Sequence, residues 1–313
     1  MIGFDIGGTK CAVSVGHEKN GKLIIDRKEV IPTDLSVSPY EMIDRMCDLA
    51  EKMTNDLTQI GISCGGPLDS KRGVILSPPN LRGWDCVEIV SYLKQRYGGR
   101  VSLQNDANAC AIAEWKYGAG KGCQNMVFLT FGTGLGAGLI LDGKLYTGST
   151  DMAGEVGHIR LGEFGPVGYG KKGSFEGFCS GNGIAQIGRT LAMERLQQGL
   201  PVSYCACESD LPFVSAKLIA EFAEKGHKDA KDVYLLCAEK LGLGLSILID
   251  ILNPDAIVIG SVYLRAESLL RDTVMRVIEQ EALPHAYKVC KILPAGLGES
   301  LGDYAALSVA GEL

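Results

Sequence analysis

Two stretches of this chain follow the same plan, and that repetition constrains the fold more than any other feature. "FDIGGTKCAVSVGHEKNGKL" (4–23) and "LTFGTGLGAGLILDGKL" (129–145) each read as strand, glycine-rich turn, strand, tight turn, strand. The tight turns are Asn20-Gly21 and Asp142-Gly143. Both pairs are strong hairpin signals, because the favoured two-residue turn needs positive φ at successive residues. The alternation in "CAVSV" marks a half-buried strand. A module used twice implies a duplicated, two-domain architecture.

Between the modules, helix and strand patterns alternate. "SPYEMIDRMCDLAEKM" (38–53) places Met42, Met46, Leu49 and Met53 at helical spacing. Strands are expected over 59–66 and 100–106, and helices over 85–98 and 107–120. The second half is more helical, with long helices at "FCSGNGIAQIGRTLAMERLQQG" and "DVYLLCAEKLGLGLSILIDILN", a buried strand over 256–261 and a closing helix at "LGDYAALSVAGEL". Such alternation favours sheets with helices packed on their faces. No low-complexity linker separates the halves, and the hinge is expected near 115–122.

The first glycine turn lacks the G-x-G-x-x-G spacing of a dinucleotide fold and the Walker pattern of a P-loop. It leads from strand to strand, with Asp5 just ahead of Gly7, Gly8, Thr9 and Lys10. Amides in such a turn can cradle terminal phosphates. Mg²⁺ accompanies those phosphates and needs only one or two carboxylates. Asp5 is therefore a candidate ligand of the hydrated metal, and Gly132, Thr133 and Gly134 form a second candidate cradle.

"DIGGTK" followed by "GTGLGAGLI" resembles the two phosphate loops of the sugar kinase/Hsp70/actin superfamily. "GISCGGPLD", "SPPNLRGW", "QNDANACAIAEW", "AGEVGHIRL" and "GSFEGFCSG" are similar to signatures of one branch, the ROK family, in the family's order from Ile2 nearly to the C-terminus. The resemblance implies an α/β, actin-like ATPase (ribonuclease H-like) duplicated two-domain fold with an interdomain cleft. Residues 1–114 plus 301–313 would form the small domain and 115–300 the large one. It also implies an ATP- and Mg²⁺-dependent hexose kinase acting at the 6-hydroxyl, and by analogy a homodimer.

The residue roles follow from the same resemblance. Asp106 matches the family's general base, although a helix N-cap is its ordinary alternative. Asn105, Glu155, His158 and Glu176 match sugar contacts, and Gly66, Pro67 and Asn80 shape the same pocket. Gly260 and Ser261 match the adenosine end, while Gly296 and Gly298 allow close helix approach. Zinc-bearing members carry a cysteine-rich stretch after the histidine. Here Val167, Tyr169 and Ser174 stand at the cysteine positions, so no structural zinc is expected. Packing of Val167 and Tyr169 would take over the metal's ordering role.

The family's repressors carry a helix-turn-helix domain before the kinase-like body, whereas strand sequence here begins at Ile2. A kinase is therefore expected over a repressor. A catalytically inactive sugar-sensing protein and a hydrolytic ATPase are the other classes weighed. Among sugars glucose is favoured, with N-acetylmannosamine the closest rival and fructose, allose or a glycoside further alternatives.

The net charge of −6 (31 Lys and Arg against 37 Asp and Glu) argues against nucleic-acid or anionic-membrane partners. No apolar run is long enough to span a bilayer. The 11 scattered cysteines suggest reduced thiols in the cytoplasm, and the close pair Cys205 and Cys207 lacks the second pair that a metal site usually needs.

Overall fold

The computed structural model describes residues 1–311; Glu312 and Leu313, which end the expected closing helix, lie outside the described residues. The chain divides into two compact units. One comprises Met1–Gln124, Gly138–Ala153 and Gly296–Leu313, and the other Asn125–Ala137 and Gly154–Ala295. The stretch 115–122 belongs wholly to the first.

In chain order the first module supplies β1 (Ile2–Ile6), β2 (Lys10–Lys19) and β3 (Lys22–Pro32). These are followed by α1 (Pro39–Met53), β4 (Gln59–Cys64), a small hairpin of β5 (Leu68–Asp69) and β6 (Val74–Ile75), α2 (Ile89–Tyr97), β7 (Arg100–Asn105) and α3 (Asp106–Tyr117). The second module is β8 (Met126–Phe131), β9 (Leu135–Leu141) and β10 (Lys144–Tyr146). Then come β11 (Val167–Gly168), β12 (Lys171–Lys172), α4 (Phe175–Phe178), α5 (Gly181–Gln197), α6 (Ala216–Glu224) and α7 (Lys228–Leu252). The chain closes with β13 (Ala256–Ile259), α8 (Val262–Glu281), α9 (Pro284–Tyr287), β14 (Lys291–Pro294) and α10 (Leu301–Ala310).

The two sheets have one topology. The first runs β3-β2-β1-β4-β7 and the second β10-β9-β8-β13-β14. In the first, β1 to β3 form an antiparallel meander and β4 and β7 continue from β1 in parallel. In the second, β13 pairs parallel with both β8 and β14, and β9 pairs antiparallel with β10. Both tight turns take the expected positive φ pair, +54° and +68° at Asn20-Gly21 and +51° and +68° at Asp142-Gly143. The sequence repeat is thus a structural repeat.

Helix boundaries follow local chemistry. Ser38 caps α1 by accepting from the Glu41 amide, with Pro39 at the first helical position, where its missing N–H is harmless. The helix expected over 85–98 starts only at Ile89, because Val87 bridges in extended form to Ile75. The helix expected from Phe178 is interrupted: Ser180 leaves helical geometry and caps α5 through the Gly183 amide. Around the first sheet, Ile2, Phe4, Ile60 and Ile62 pack with Met42, Met46 and Trp84 in one apolar cluster. No helix among the described residues is long and apolar enough to cross a membrane.

Sequence reasoning missed Glu114. It is fully buried near the end of α3, where its carboxylate accepts from the amides of Ala119 (2.8 Å), Gly296 (3.0 Å) and Leu297 (2.9 Å). One side chain thereby ties α3 to the loop that enters α10. Truncation would leave three part-buried donors without their acceptor, each costing up to about 1–3 kcal/mol, and a void at the fully buried Glu114. Glu114→Ala is therefore expected to destabilise the protein by about 3 kcal/mol or more in a urea titration. A loss below about 1 kcal/mol would contradict this reading.

Candidate active site

Asp5 sits near the end of β1, where pairing with β2 on one side and β4 on the other fixes its backbone. Its carboxyl is pushed up to about 6, first by burial and then by the negative charge of Asp106, with Asp303 adding to it. A hydrogen bond from Ser63 and the charge of Lys10 oppose the rise. Asp303, in the first turn of α10, is 7% exposed and has its own cation, Lys28, at 2.7 Å. A Cβ on the neighbouring Gly302 would stand 3.4 Å from Asp5 Oδ2, so the start of α10 abuts this carboxylate.

Asp106 occupies the first turn of α3. Its surface reaches solvent, yet the protein massed around it raises its pKa, opposed by the Ala107 amide. The cap of α3 is not Asp106 but Asn105, whose Oδ1 accepts from Ala107 N at 2.9 Å. The capping alternative for Asp106 is thereby corrected by one position: the neighbour performs that duty, although Asp106 Oδ1 also accepts from the Ala107 amide (2.8 Å). Asn105 keeps its amide nitrogen beside Gly66, which is joined to Pro67 by a cis bond.

The first glycine turn is more occupied than a simple cradle. Gly7 N–H donates to Lys10 O (3.1 Å), and Gly7 O accepts from Thr33 Oγ1 (2.6 Å). Gly8 is glycine because Asn80 packs on it: a Cβ there would lie 2.5 Å from Asn80 O and 2.7 Å from Asn80 Cβ. A backbone carbonyl cannot swing away like a side chain. Gly8→Ala is therefore expected to displace the turn and lower kcat/KM for ATP by about tenfold, from roughly 1.4 kcal/mol of lost positioning. Wild-type kinetics in this variant would show that the turn does not hold the nucleotide.

The second unit holds the other candidates. In the β8–β9 turn, Gly132 N donates to Gly134 O (3.0 Å) and Gly132 O accepts from Gly181 N (2.8 Å). The amides of Thr133 and Gly134 stand outside these bonds. Glu176, in α4, accepts through Oε2 from Leu135 N (2.9 Å). One oxygen of this expected sugar contact thus fixes the glycine turn. Gly134 leaves room for it, since a Cβ would lie 2.6 Å from that oxygen. Glu155 and His158 are both exposed: Glu155 immediately precedes, and His158 ends, a single helical turn over Val156–His158.

A cavity of about 680 Å³ opens in the second unit between α5, α6 and α8, lined by Gly132, Thr133, Lys217, Tyr234, Ser261 and Arg265 among others. Ser261 adopts φ +51°, which turns β13 into α8, and Arg265 Nη2 donates to its Oγ at 3.2 Å. Gly260 N is held by Leu129 O (3.0 Å). Gly296 makes a close approach, whereas Gly298 has nothing near a Cβ position and serves a φ of +59° instead. Lys217 and Arg265 carry no sequence motif, and only the fold brings them to this cavity.

The stretch after His158 forms the β11–β12 hairpin. Val167 is 40% exposed, so packing of its side chain does not order the loop, contrary to expectation. Its backbone does: Val167 N donates to Gln186 Oε1 (3.0 Å) and Val167 O accepts from Gln186 Nε2 (2.9 Å). Ser174 is buried and caps α4 through the Gly177 amide. Cys205 and Cys207 bond locally, to the Cys207 carbonyl and to Ser209 Oγ. Among the described residues no group of three or more His, Cys, Asp or Glu is gathered to hold a metal.

The sequence matches the ROK family over residues 1–312. The chain belongs to the ROK family. The glucokinase of Streptomyces coelicolor is 29% identical over 315 residues, covering 99% of this chain and 97% of that one. The N-acetylmannosamine kinase of Salmonella heidelberg is 30% identical over 285 residues, covering 91% and 90%. The crystal structure of a ROK family glucokinase from Streptomyces griseus, in complex with glucose and AMPPNP, superposes with a TM-score of 0.77 at 29% identity, covering 100% and 99%. The mixed α/β, two-sheet fold of this ROK protein is that of the actin-like ATPase superfamily.

Proposed function

We propose that this ROK sugar kinase transfers the terminal phosphoryl group of ATP to the 6-hydroxyl of a hexose, with glucose the favoured substrate and Asp106 the general base. The observation that carries the reading is the pair Asp5 and Asp106. They are close enough for Asp106 to raise the Asp5 pKa, and each lies beside a glycine turn or a helix start whose backbone cannot drift. The whole-chain similarity to a glucokinase supports the sugar assignment.

The residues fit a divalent cation. Burial and two neighbouring carboxylates disfavour charge on Asp5, and Lys28 is already committed to Asp303. Asp5, acting through water, would hold Mg²⁺, which when bound neutralises charge on the phosphate oxygens. The amides of Thr133 and Gly134 would donate to phosphate oxygens, and the 680 Å³ cavity, of ordinary size for a small-molecule site, would take the adenosine beside Ser261. Glu155, His158 and the other oxygen of Glu176 would hold sugar hydroxyls, and Asn105 and Asn80 are proposed as further sugar contacts. Asp106 accepts the proton as the hydroxyl oxygen attacks phosphorus. Its raised pKa brings it closer to neutrality, where a base is most effective.

Asp5 and Asp106 belong to the first unit and the proposed sugar-binding residues Glu155, His158 and Glu176 to the second. The reading also takes the protein to be a homodimer in the cytoplasm. Sugar preference is tested by kcat/KM for glucose, N-acetylmannosamine, N-acetylglucosamine and fructose with Mg-ATP. Glucose is expected to lead by about tenfold or more, the scale of one well-placed hydrogen bond. A lead by N-acetylmannosamine would replace the glucose assignment, and ATP hydrolysis indifferent to all four sugars would overturn the kinase reading.

A further inference from the structure

The hairpin after His158 turns on Tyr169 and Gly170, at φ +43° and +77°. Gly170 suits that geometry. Tyr169 does not, since asparagine, aspartate or glycine is the usual first residue of such a turn. A bulky residue held in the left-handed region carries a conformational cost, and such costs persist where the side chain has a task.

The surroundings of the ring identify that task. Tyr169 meets the His158 imidazole edge-on, with centroids 5.3 Å apart and planes at 68°. This is the favoured geometry for two aromatic rings. The next residues strengthen the link: Lys171 Nζ donates to the His158 carbonyl (2.5 Å), Arg160 donates to Lys172 O (2.7 Å) and Phe175 N donates to Ile159 O (2.7 Å). The hairpin is itself immobilised on α5 by Gln186 and lies flat on α4. There a Cβ on Gly168 would be 2.8 Å from the Glu176 Cβ. Tyr169 remains 68% exposed and lines, with Thr133, Glu176, Ser180 and Asn182, a cavity of about 320 Å³.

We propose that Tyr169 is a positioning residue for sugar recognition: its ring fixes the His158 imidazole, and the hairpin that carries it sets His158 and Glu176 in one frame. This rests on the reading of His158 as a sugar contact. The strained turn is kept because the ring restricts an exposed imidazole that would otherwise sample several rotamers.

The test compares Tyr169→Gly, Tyr169→Phe, His158→Ala and the double variant Tyr169→Gly/His158→Ala, with Mg-ATP and the preferred sugar. Tyr169→Gly should raise the sugar KM about three- to tenfold, the worth of one aromatic pair, with the ATP KM and kcat changed less than twofold. Glycine suits the positive φ, so the melting temperature should not fall, which separates this loss from unfolding. Tyr169→Phe should keep the wild-type KM. Tyr169→Gly should add nothing in the His158→Ala background, because its effect passes through the imidazole. A wild-type KM in Tyr169→Gly while His158→Ala raises it overturns the proposal alone, as does full additivity. A wild-type KM in His158→Ala overturns the reading of His158 and the proposal with it.

Discussion

Asp106→Asn is expected to lower sugar-dependent ADP release by about 10²–10⁴-fold, the usual contribution of a positioned general base. The substitution is nearly isosteric, and the local structure tolerates it. Asn105, not Asp106, caps α3, and an asparagine at the first helical position can still accept from the Ala107 amide. ATP affinity and melting temperature should therefore match the wild type, which confines the loss to the chemical step. Retention of more than about a tenth of the wild-type kcat would show that the proton leaves by another route, because removing the base is expected to cost at least about 2.7 kcal/mol of barrier.

Asp5→Asn should make the protein inactive and at the same time more stable at neutral pH. The folded chain holds a proton on Asp5 up to about pH 6, whereas an unfolded chain releases it near 3.8. An acid with a raised folded-state pKa favours the folded state as pH falls through 6 and penalises it above. One pKa unit corresponds to about 1.4 kcal/mol, so the ionised Asp5 destabilises the metal-free protein at pH 7 by about 3 kcal/mol. Asparagine removes that penalty. In urea titrations without Mg²⁺, the variant should exceed the wild type at pH 7.5, and the difference should shrink towards pH 4.5. Activity of the wild type should fall as pH drops below about 6, when the carboxylate takes up its proton. A variant less stable than the wild type at pH 7.5 would show that Asp5 is held by attraction rather than strained by its neighbours. Stability exchanged for function in this way is common at active sites.

Much of the architecture was legible because glycine and turn chemistry are local. Asn20-Gly21 and Asp142-Gly143 announced two hairpins, and the repeat between them announced two sheets of one topology. Helix starts were legible where a capping side chain marked them, as at Ser38. The start of α2 was obscured because Glu88 provides no side-chain cap and a long-range bridge at Val87 decides where the helix begins. The glycine turns were read as open cradles. The Gly7 and Gly132 amides are taken by carbonyls of their own turns, Lys10 and Gly134, while the carbonyls of these glycines accept from partners farther along the chain, Thr33 and Gly181. Glu114 was invisible for the same reason: two of its three acceptor bonds reach Gly296 and Leu297, more than a hundred residues away, and "AEW" carries no mark of them. The histidine's aromatic partner required a positive φ at a tyrosine, which no propensity argument would place there.

If this chain moves a phosphoryl group from ATP to a sugar hydroxyl with Asp106 as base, two products must appear together and depend on that carboxylate. Phosphorus NMR of the wild-type protein incubated with Mg-ATP and glucose, beside Asp106→Asn, tests it most directly. ADP and hexose 6-phosphate resonances are expected to grow equally with the wild type, and neither with the variant. Release of inorganic phosphate without a sugar phosphate, or a sugar phosphate formed as fast by Asp106→Asn, would contradict it.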